Sequence, residues 1–141
     1  PKIVLRSKTY IDLYTRPETT VAKVHEMMNE WYRVQLKRQI PEQIEKLEKK
    51  MNVKVGEWQV RLMKTLWGSC NIEKKRIWVN LELAKKPIYC LEYIIVHEMI
   101  HLLERHHNER FIAFMDNYLP KWRFYKEELN RSPLRHENWR Y

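Results

Sequence analysis

Val96-His97-Glu98-Met99-Ile100-His101, followed six residues later by His107, is the stretch around which the rest of the chain is organised. It lies in a run from Ile94 to Leu103 that is otherwise almost purely apolar. Each residue of an α-helix advances about 100°, so His97 and His101 stand only about 40° apart on one face. Two imidazoles so placed reach one ion together. Glu98, about 100° round from His97, falls beside that ion, where a carboxylate can hold a water.

The surroundings sharpen this reading. Leu91, Ile94, Ile95, Val96, Met99, Ile100, Leu102 and Leu103 cover nearly the whole circumference of the helix. A helix that is hydrophobic all round belongs in a protein interior. Burying Glu98 there alone is costly, and a divalent ion turns that cost into an attraction. The bland reading is a partly exposed helix whose histidines hydrogen-bond backbone; the apolar circumference disfavours it. Four of the six histidines fall between positions 97 and 107, which also favours metal.

A catalytic zinc site usually takes three protein ligands and keeps one position for water. His106 and His107 are the local candidates for the third. In a helix running straight on, His107 would lie about 240° past His101, on the wrong side. The helix is therefore expected to break near Arg105 to His107. Asn108 suits the N-cap of a second helix, to which Phe111, Phe114 and Met115 give an apolar face. The spacing from second to third ligand matches metzincins, but Glu104 stands where they carry glycine, and no Met-turn signature follows. A later glutamate ligand, Glu127 or Glu128, is the gluzincin-like alternative.

At 141 residues the chain is one domain's worth, long enough to bury a core, and residues 1–141 are read as a single domain. No apolar run approaches a membrane span, no secretory signal is visible, and Pro1 in place of methionine suggests a processed chain or a fragment. The two cysteines, Cys70 and Cys90, form no CxxC pair and no disulfide framework, which fits a cytoplasmic location. The net charge is +9, with basic groups at Lys46 to Lys54, Lys74 to Arg76 and Lys121 to Arg140. Such a balance attracts polyanions, so nucleic acid stays open as a partner, although no nucleic-acid motif accompanies the charge.

In chain order, residues 2–16 read as a short hairpin, with Ile3 to Leu5 and Tyr10 to Tyr14 as its strands and the whole a remnant of a larger N-terminal β region. Arg16-Pro17-Glu18 is expected to start a helix whose apolar face carries Val21, Val24, Met28, Trp31, Val34 and, at its end, Leu36. Pro41 is expected to break or kink it, with Ile44, Leu47 and Met51 continuing in a second helix. His25 reads as a surface residue. Val60 and Leu62 alternate with polar neighbours as a strand does, and Ile77 to Leu81 reads as another. Trp67-Gly68-Ser69-Cys70 between them reads as a turn that packs a tryptophan, or else as a wall of the active cleft. Pro87 opens the helix of the histidines. Further helices are expected from Asn108 to about Tyr118, closed by Pro120, and from Trp122 to Asn130. Residues 131–141 read as a loose tail.

The set Trp67-Gly68-Ser69-Cys70, Asn80, Tyr93 through His101, His107 and Phe111, with Leu119-Pro120 after it, resembles the YgjP-like metallopeptidase family, which is related to the SprT-like proteases. The resemblance spans roughly Tyr10 to the end of the last helix and is most specific between Trp67 and Phe111. It implies an α+β, zincin-like metallopeptidase domain: a small β-sheet packed against helices, with the His-Glu-x-x-His helix central. It also implies zinc on His97, His101 and His107, and Glu98 as the catalytic acid/base. His106 stands where other polar residues are usual in that family. The zinc ribbon or other DNA-binding module that SprT-like relatives often add is not visible here.

The chemistry these residues suggest is hydrolysis of a peptide or protein substrate. A divalent ion activates water and polarises the carbonyl, and Glu98 moves the proton. The strand from Ile77 to Asn80 is expected to be an edge on which substrate adds as a further strand. Arg110, Tyr118 and Tyr125 are candidate oxyanion donors, and Glu104 a candidate partner for the histidines. Two rivals stand beside this: a DNA-associated protease acting on DNA-bound proteins, and a non-catalytic metal-binding module. Intact Glu98 argues against the second.

Overall fold

Burial explains how the longest element survives its own proline. In the computed structural model, which describes residues 2–5 and 11–14 through their backbone and residues 20–131 in full, helix α1 runs unbroken from Val21 to Met51 with Pro41 inside it. A helix-interior proline costs about 3 kcal/mol. Leu36 and Ile40 before it, and Ile44, Leu47 and Met51 after it, form one buried stripe. Each of those side chains returns about 1.5–3 kcal/mol on burial, so the stripe outweighs the proline. Two helices were expected here and there is one.

The helix begins later than Pro17 suggested. Thr20 is extended, and its hydroxyl accepts from the Lys23 amide at 3.1 Å as an N-cap; Arg16 to Glu18 lie outside the described residues. At the other end Asn52 turns left-handed (φ 53°) and closes the last turn, with Lys49 and Lys50 facing the helix's negative end. Of the apolar face expected on the first half, only Leu36 is core: Val21 and Val34 are exposed, and Val24, Met28 and Trp31 half-buried.

Strands β1 (Lys2–Leu5) and β2 (Ile11–Tyr14) pair antiparallel, as the hairpin reading expected. A second sheet contains β3 (Glu57–Arg61), β4 (Gly68–Asn71) and β5 (Arg76–Asn80) in the order β3-β5-β4. β5 runs parallel to β3 and antiparallel to β4. The strand from Ile77 to Asn80 is thus the centre of this sheet, not its edge. Its neighbours take the hydrogen-bonding capacity that a substrate would have needed. Trp67 to Cys70 is corrected too, since Gly68 to Cys70 are strand rather than turn. β3 ends at Arg61, leaving Leu62 exposed beyond it.

Val60, Ile77 and Val79 point to one side of the sheet and are buried. Across that side lies α2 (Ile88–Ile100), which touches α1, β4, β5, α3 (Glu109–Tyr118), α4 (Trp122–Asn130) and the 3-10 turn Leu81–Lys85. Its residues Tyr93 to Ile100 are all buried. The fold is α+β, with a small sheet against helices and α2 in the middle, as expected. No helix among the described residues is long and apolar enough to cross a membrane. The chain beyond Arg131, read above as a loose tail, lies outside the described residues.

One buried polar residue fixes the approach to β4. Asn80 is fully buried, and its Nδ2 donates to the carbonyls of Met63 (2.8 Å) and Leu66 (2.7 Å) while its Oδ1 accepts from the Glu82 amide (3.0 Å). Its own amide donates to the Trp67 carbonyl at 2.9 Å. Pairing groups alternate along an antiparallel strand. Ser69 and Asn71 therefore turn their amides and carbonyls to β5 as Trp67 does. Those of Gly68 and Cys70 face the open edge, where no strand pairs among the described residues.

Candidate metal centre

Helix α2 stops sooner than the spacing of the histidines required. His101 already caps it, and Leu102, Leu103 and Glu104 wind tightly behind, their amides reaching the carbonyls of Met99 (3.0 Å), Ile100 (2.8 Å) and Ile100 (2.8 Å). The break thus falls at His101 to Leu103, not at Arg105 to His107. Past Leu103 the chain is Glu104-Arg105-His106-His107-Asn108, with no apolar side chain to bury, so nothing holds the helix on.

Glu104 organises the loop that replaces it. Its carbonyl is 3.2 Å from His101 Nδ1. A carbonyl can only accept, so Nδ1 carries the proton and Nε2 keeps its lone pair. The Glu104 carboxylate accepts from the His106 amide (3.3 Å), Asn108 Nδ2 (2.9 Å) and Arg110 (3.2 Å). Those hydrogen bonds, the His106 amide first, hold its pKa below the ordinary carboxylate value. Asn108 in turn caps α3, its Oδ1 accepting from the Phe111 amide at 3.0 Å. The expected link between Glu104 and the histidines is therefore made by its backbone, while its side chain sets the loop.

That loop brings His107 back over α2. His97 Nε2 and His107 Nε2 are 3.1 Å apart, and His97, His101 and His107 offer ligand atoms all within 4.8 Å of one another. Two nitrogens held about 2.05 Å from one tetrahedral ion stand about 3.3 Å apart, so His97 and His107 are already at that spacing and His101 is close by. The group contains neither His106 nor Glu127 or Glu128; Glu128 pairs with Arg131 at 3.0 Å. His25 is exposed on α1, and His136 lies outside the described residues.

The ring of Phe111, 1% exposed, floors the site, with its centroid 4.8 Å from His97, 4.9 Å from His101 and 4.9 Å from His107. Burial lowers the pKa of His101, while burial and then the neighbouring His101 and His106 bring His107 down to about 4. Near neutral pH both imidazoles are therefore uncharged, the form that binds a cation. His97 is buried and His107 exposed, so the cluster opens to solvent on the His107 side.

Glu98 completes the arrangement. It is 3% exposed, and its Oε2 has no hydrogen-bond partner among the described residues. Burial pushes its pKa up to about 8. Near neutral pH such a carboxyl is mostly protonated unless a positive charge lies beside it, and the three imidazoles next to it are placed to hold one. The residues present therefore fit a divalent cation. Cys70 sits close enough to feel Glu98: burial first, and then that carboxylate, push its thiol up to about 12. Without a metal Cys70 thus stays a thiol, and it is not among the residues that converge as ligands.

Two contributors were legible in the sequence without their contacts: Phe111 as an apolar position of α3 and a residue of the family resemblance, and Gly68 within a stretch read as turn or cleft wall. Gly68 packs so closely on α2 that a Cβ there would come 2.6 Å from Ile94 Cγ2 and 2.9 Å from Glu98 Oε2, which makes Trp67 to Cys70 a wall of the site. Of the oxyanion candidates, Arg110 is taken by Glu104, Tyr118 stacks on Phe114 and Tyr125 stacks on Tyr89.

Residues 2–132 match a family model described as YgjP-like, metallopeptidase domain. Comparison with curated proteins finds no match.

Proposed function

This chain belongs to the YgjP-like metallopeptidase family, and from that premise we propose that it is a zinc-dependent peptidase with Glu98 as its general base. The observation that carries the reading is a buried carboxylate without a hydrogen-bond partner among the described residues, set beside three converging imidazoles. A purely structural metal site has no use for such a carboxylate.

His97, His101 and His107 would hold the ion, with the Glu104 carbonyl fixing the His101 tautomer. When bound, zinc supplies the Lewis acidity that makes water a nucleophile near neutral pH and polarises a peptide carbonyl. Glu98 takes the proton of the attacking water and gives it to the departing amine. Burial, which raises its pKa, favours the half in which it returns the proton, and a cation beside it favours the half in which it starts ionised.

Substrate binding falls to β4 instead of β5. The outward amides and carbonyls of Gly68 and Cys70 give an extended peptide a strand to pair with. Gly68 is also the residue whose backbone touches Glu98. A peptide lying on β4 therefore passes directly by the base.

The test is cleavage of a mixed peptide library by zinc-loaded protein, with Glu98→Gln as control. The variant should keep the metal and lose at least a hundredfold in kcat/KM, the usual range for general-base loss. Cleavage of equal rate in both proteins removes Glu98 from the chemistry.

A further inference from the structure

Beside the free edge of β4 lies a cavity of about 480 Å³ whose lining includes Ser69, Cys70 and Asn71, Arg76 and Trp78 from β5, and Arg105 from the loop that carries His107. We propose that this cavity is a substrate subsite that selects an acidic side chain one or two residues from the cleaved bond. The proposal rests on the peptidase reading and names the substrate class for that same site.

Position supports it first. Gly68 touches Glu98, and Ser69 to Asn71 follow it on the same strand. Strand residues advance about 3.3 Å each, so a peptide pairing with β4 past Gly68 carries its next side chains along this cavity. Arg105 belongs to the same short loop as His107, which ties the cavity to the metal cluster.

Charge supports it second. Two guanidinium groups line the cavity against one carboxylate, Glu73. Arg76 leans on Glu57 at 3.7 Å, a loose and partly exposed pair. Arg105 pairs with no carboxylate among the described residues. Trp78 lines it too, with the Cζ atoms of Arg61 and Arg76 over its ring at 4.5 Å and 4.8 Å from the centroid. A guanidinium over an aromatic face keeps its edge for a carboxylate. Nucleic-acid phosphate is the rival ligand for the same arginines. A pocket of this size alongside a free strand edge suits one side chain of an extended chain better than a polymer backbone.

The experiment uses decapeptides identical except at one position near the cleaved bond, which carries Glu, Gln or Lys. For zinc-loaded wild type, the Glu peptide should exceed the Lys peptide in kcat/KM by about tenfold at one position, a ratio that shrinks in 1 M salt. In Arg105→Gln the ratio should approach one, and in Arg105→Glu it should invert. Cleavage with no preference at any position, or a preference that survives Arg105→Glu, overturns the proposal.

Binding of the same labelled peptides to Glu98→Gln, followed by fluorescence anisotropy, separates the subsite from the chemistry. If no peptide is cleaved, the peptidase reading fails, yet tighter binding of the Glu peptide that depends on Arg105 still upholds the subsite. Equal binding of Glu and Lys peptides overturns it. So does a single-stranded oligonucleotide that binds at lower concentration than the acidic peptide and loses that binding in Arg105→Glu.

Discussion

The backbone of Gly68 lies against the carboxylate of Glu98, so closely that a single added carbon would stand 2.9 Å from Oε2 and 3.0 Å from Cγ. The same carbon would press on Ile94 at 2.6 Å. Strand and helix thus meet with no side chain between them, and the free edge of β4 reaches the base. Gly68→Ala should therefore displace Glu98 or push β4 away from α2. Overpacking of this kind costs about 1–3 kcal/mol. Thermal unfolding should show the loss, and peptidase activity should fall by at least tenfold, while Ser69→Ala on the same strand changes stability by less than about 0.5 kcal/mol. An active, stable Gly68→Ala protein would show that the contact is not tight.

Asn80 holds the chain before Gly68 through three side-chain hydrogen bonds. In Asn80→Ala the carbonyls of Met63 and Leu66 lose their donor in a partly buried setting, at up to about 1–3 kcal/mol for each group left unsatisfied. Asn80→Asp should be no better, because a carboxylate cannot donate to either carbonyl. Chemical denaturation of both variants checks this. Stability within 1 kcal/mol of wild type would mean that water replaces the side chain.

Metal-free protein should be less stable at pH 8 than at pH 6.5. Glu98 keeps its proton up to about 8 when folded and releases it near 4.5 when unfolded, so the folded state binds the extra proton between those values. Stability then falls as pH rises through that window. His101 and His107 shift downwards from 6.5 and act in the opposite direction, an effect that fades only about one pH unit above that value. Between pH 6.5 and 8 the loss from Glu98 exceeds what the two histidines return, for a net fall of about 1 kcal/mol. Urea midpoints in the presence of chelator should show it, and Glu98→Gln should flatten it. A slope that persists in Glu98→Gln assigns it to another group.

Removing the Glu104 side chain should weaken metal binding without unfolding the protein. Three donors lose their acceptor, while the carbonyl that orients His101 remains. Loss of such outer partners typically costs 10–100-fold in metal affinity. Competition with a chromophoric chelator measures this for Glu104→Ala; unchanged affinity would mean that the Asn108 cap alone places His107.

The sequence was most legible where one residue's chemistry and its spacing agree. His97, Glu98 and His101 sit four residues or fewer apart on an apolar helix, so local geometry alone brings them together. Asn108 announced α3 because capping is a local hydrogen bond, and the one found joins Asn108 to Phe111 three residues on. What stayed hidden depends on partners distant in sequence. Pro41 stops no helix because Ile40 and Ile44 are both buried by the fold around them. β5 reads the same as a central or an edge strand, since its neighbours are chosen by pairing and not by its own pattern. Helix α2 ends at His101 through bonds that the apolar run up to Leu103 conceals. The glycine at 68 was countable, but its contact with Glu98 was not.

The central claim is that His97, His101 and His107 hold one catalytic ion. The most direct measurement is the metal content of purified, zinc-supplemented wild type beside His107→Ala and His106→Ala. About one zinc per chain is expected in wild type and in His106→Ala, whose side chain lies outside the cluster, with loss of most of it in His107→Ala. Zinc retained in His107→Ala and lost in His106→Ala, or no zinc bound by wild type, would contradict the account.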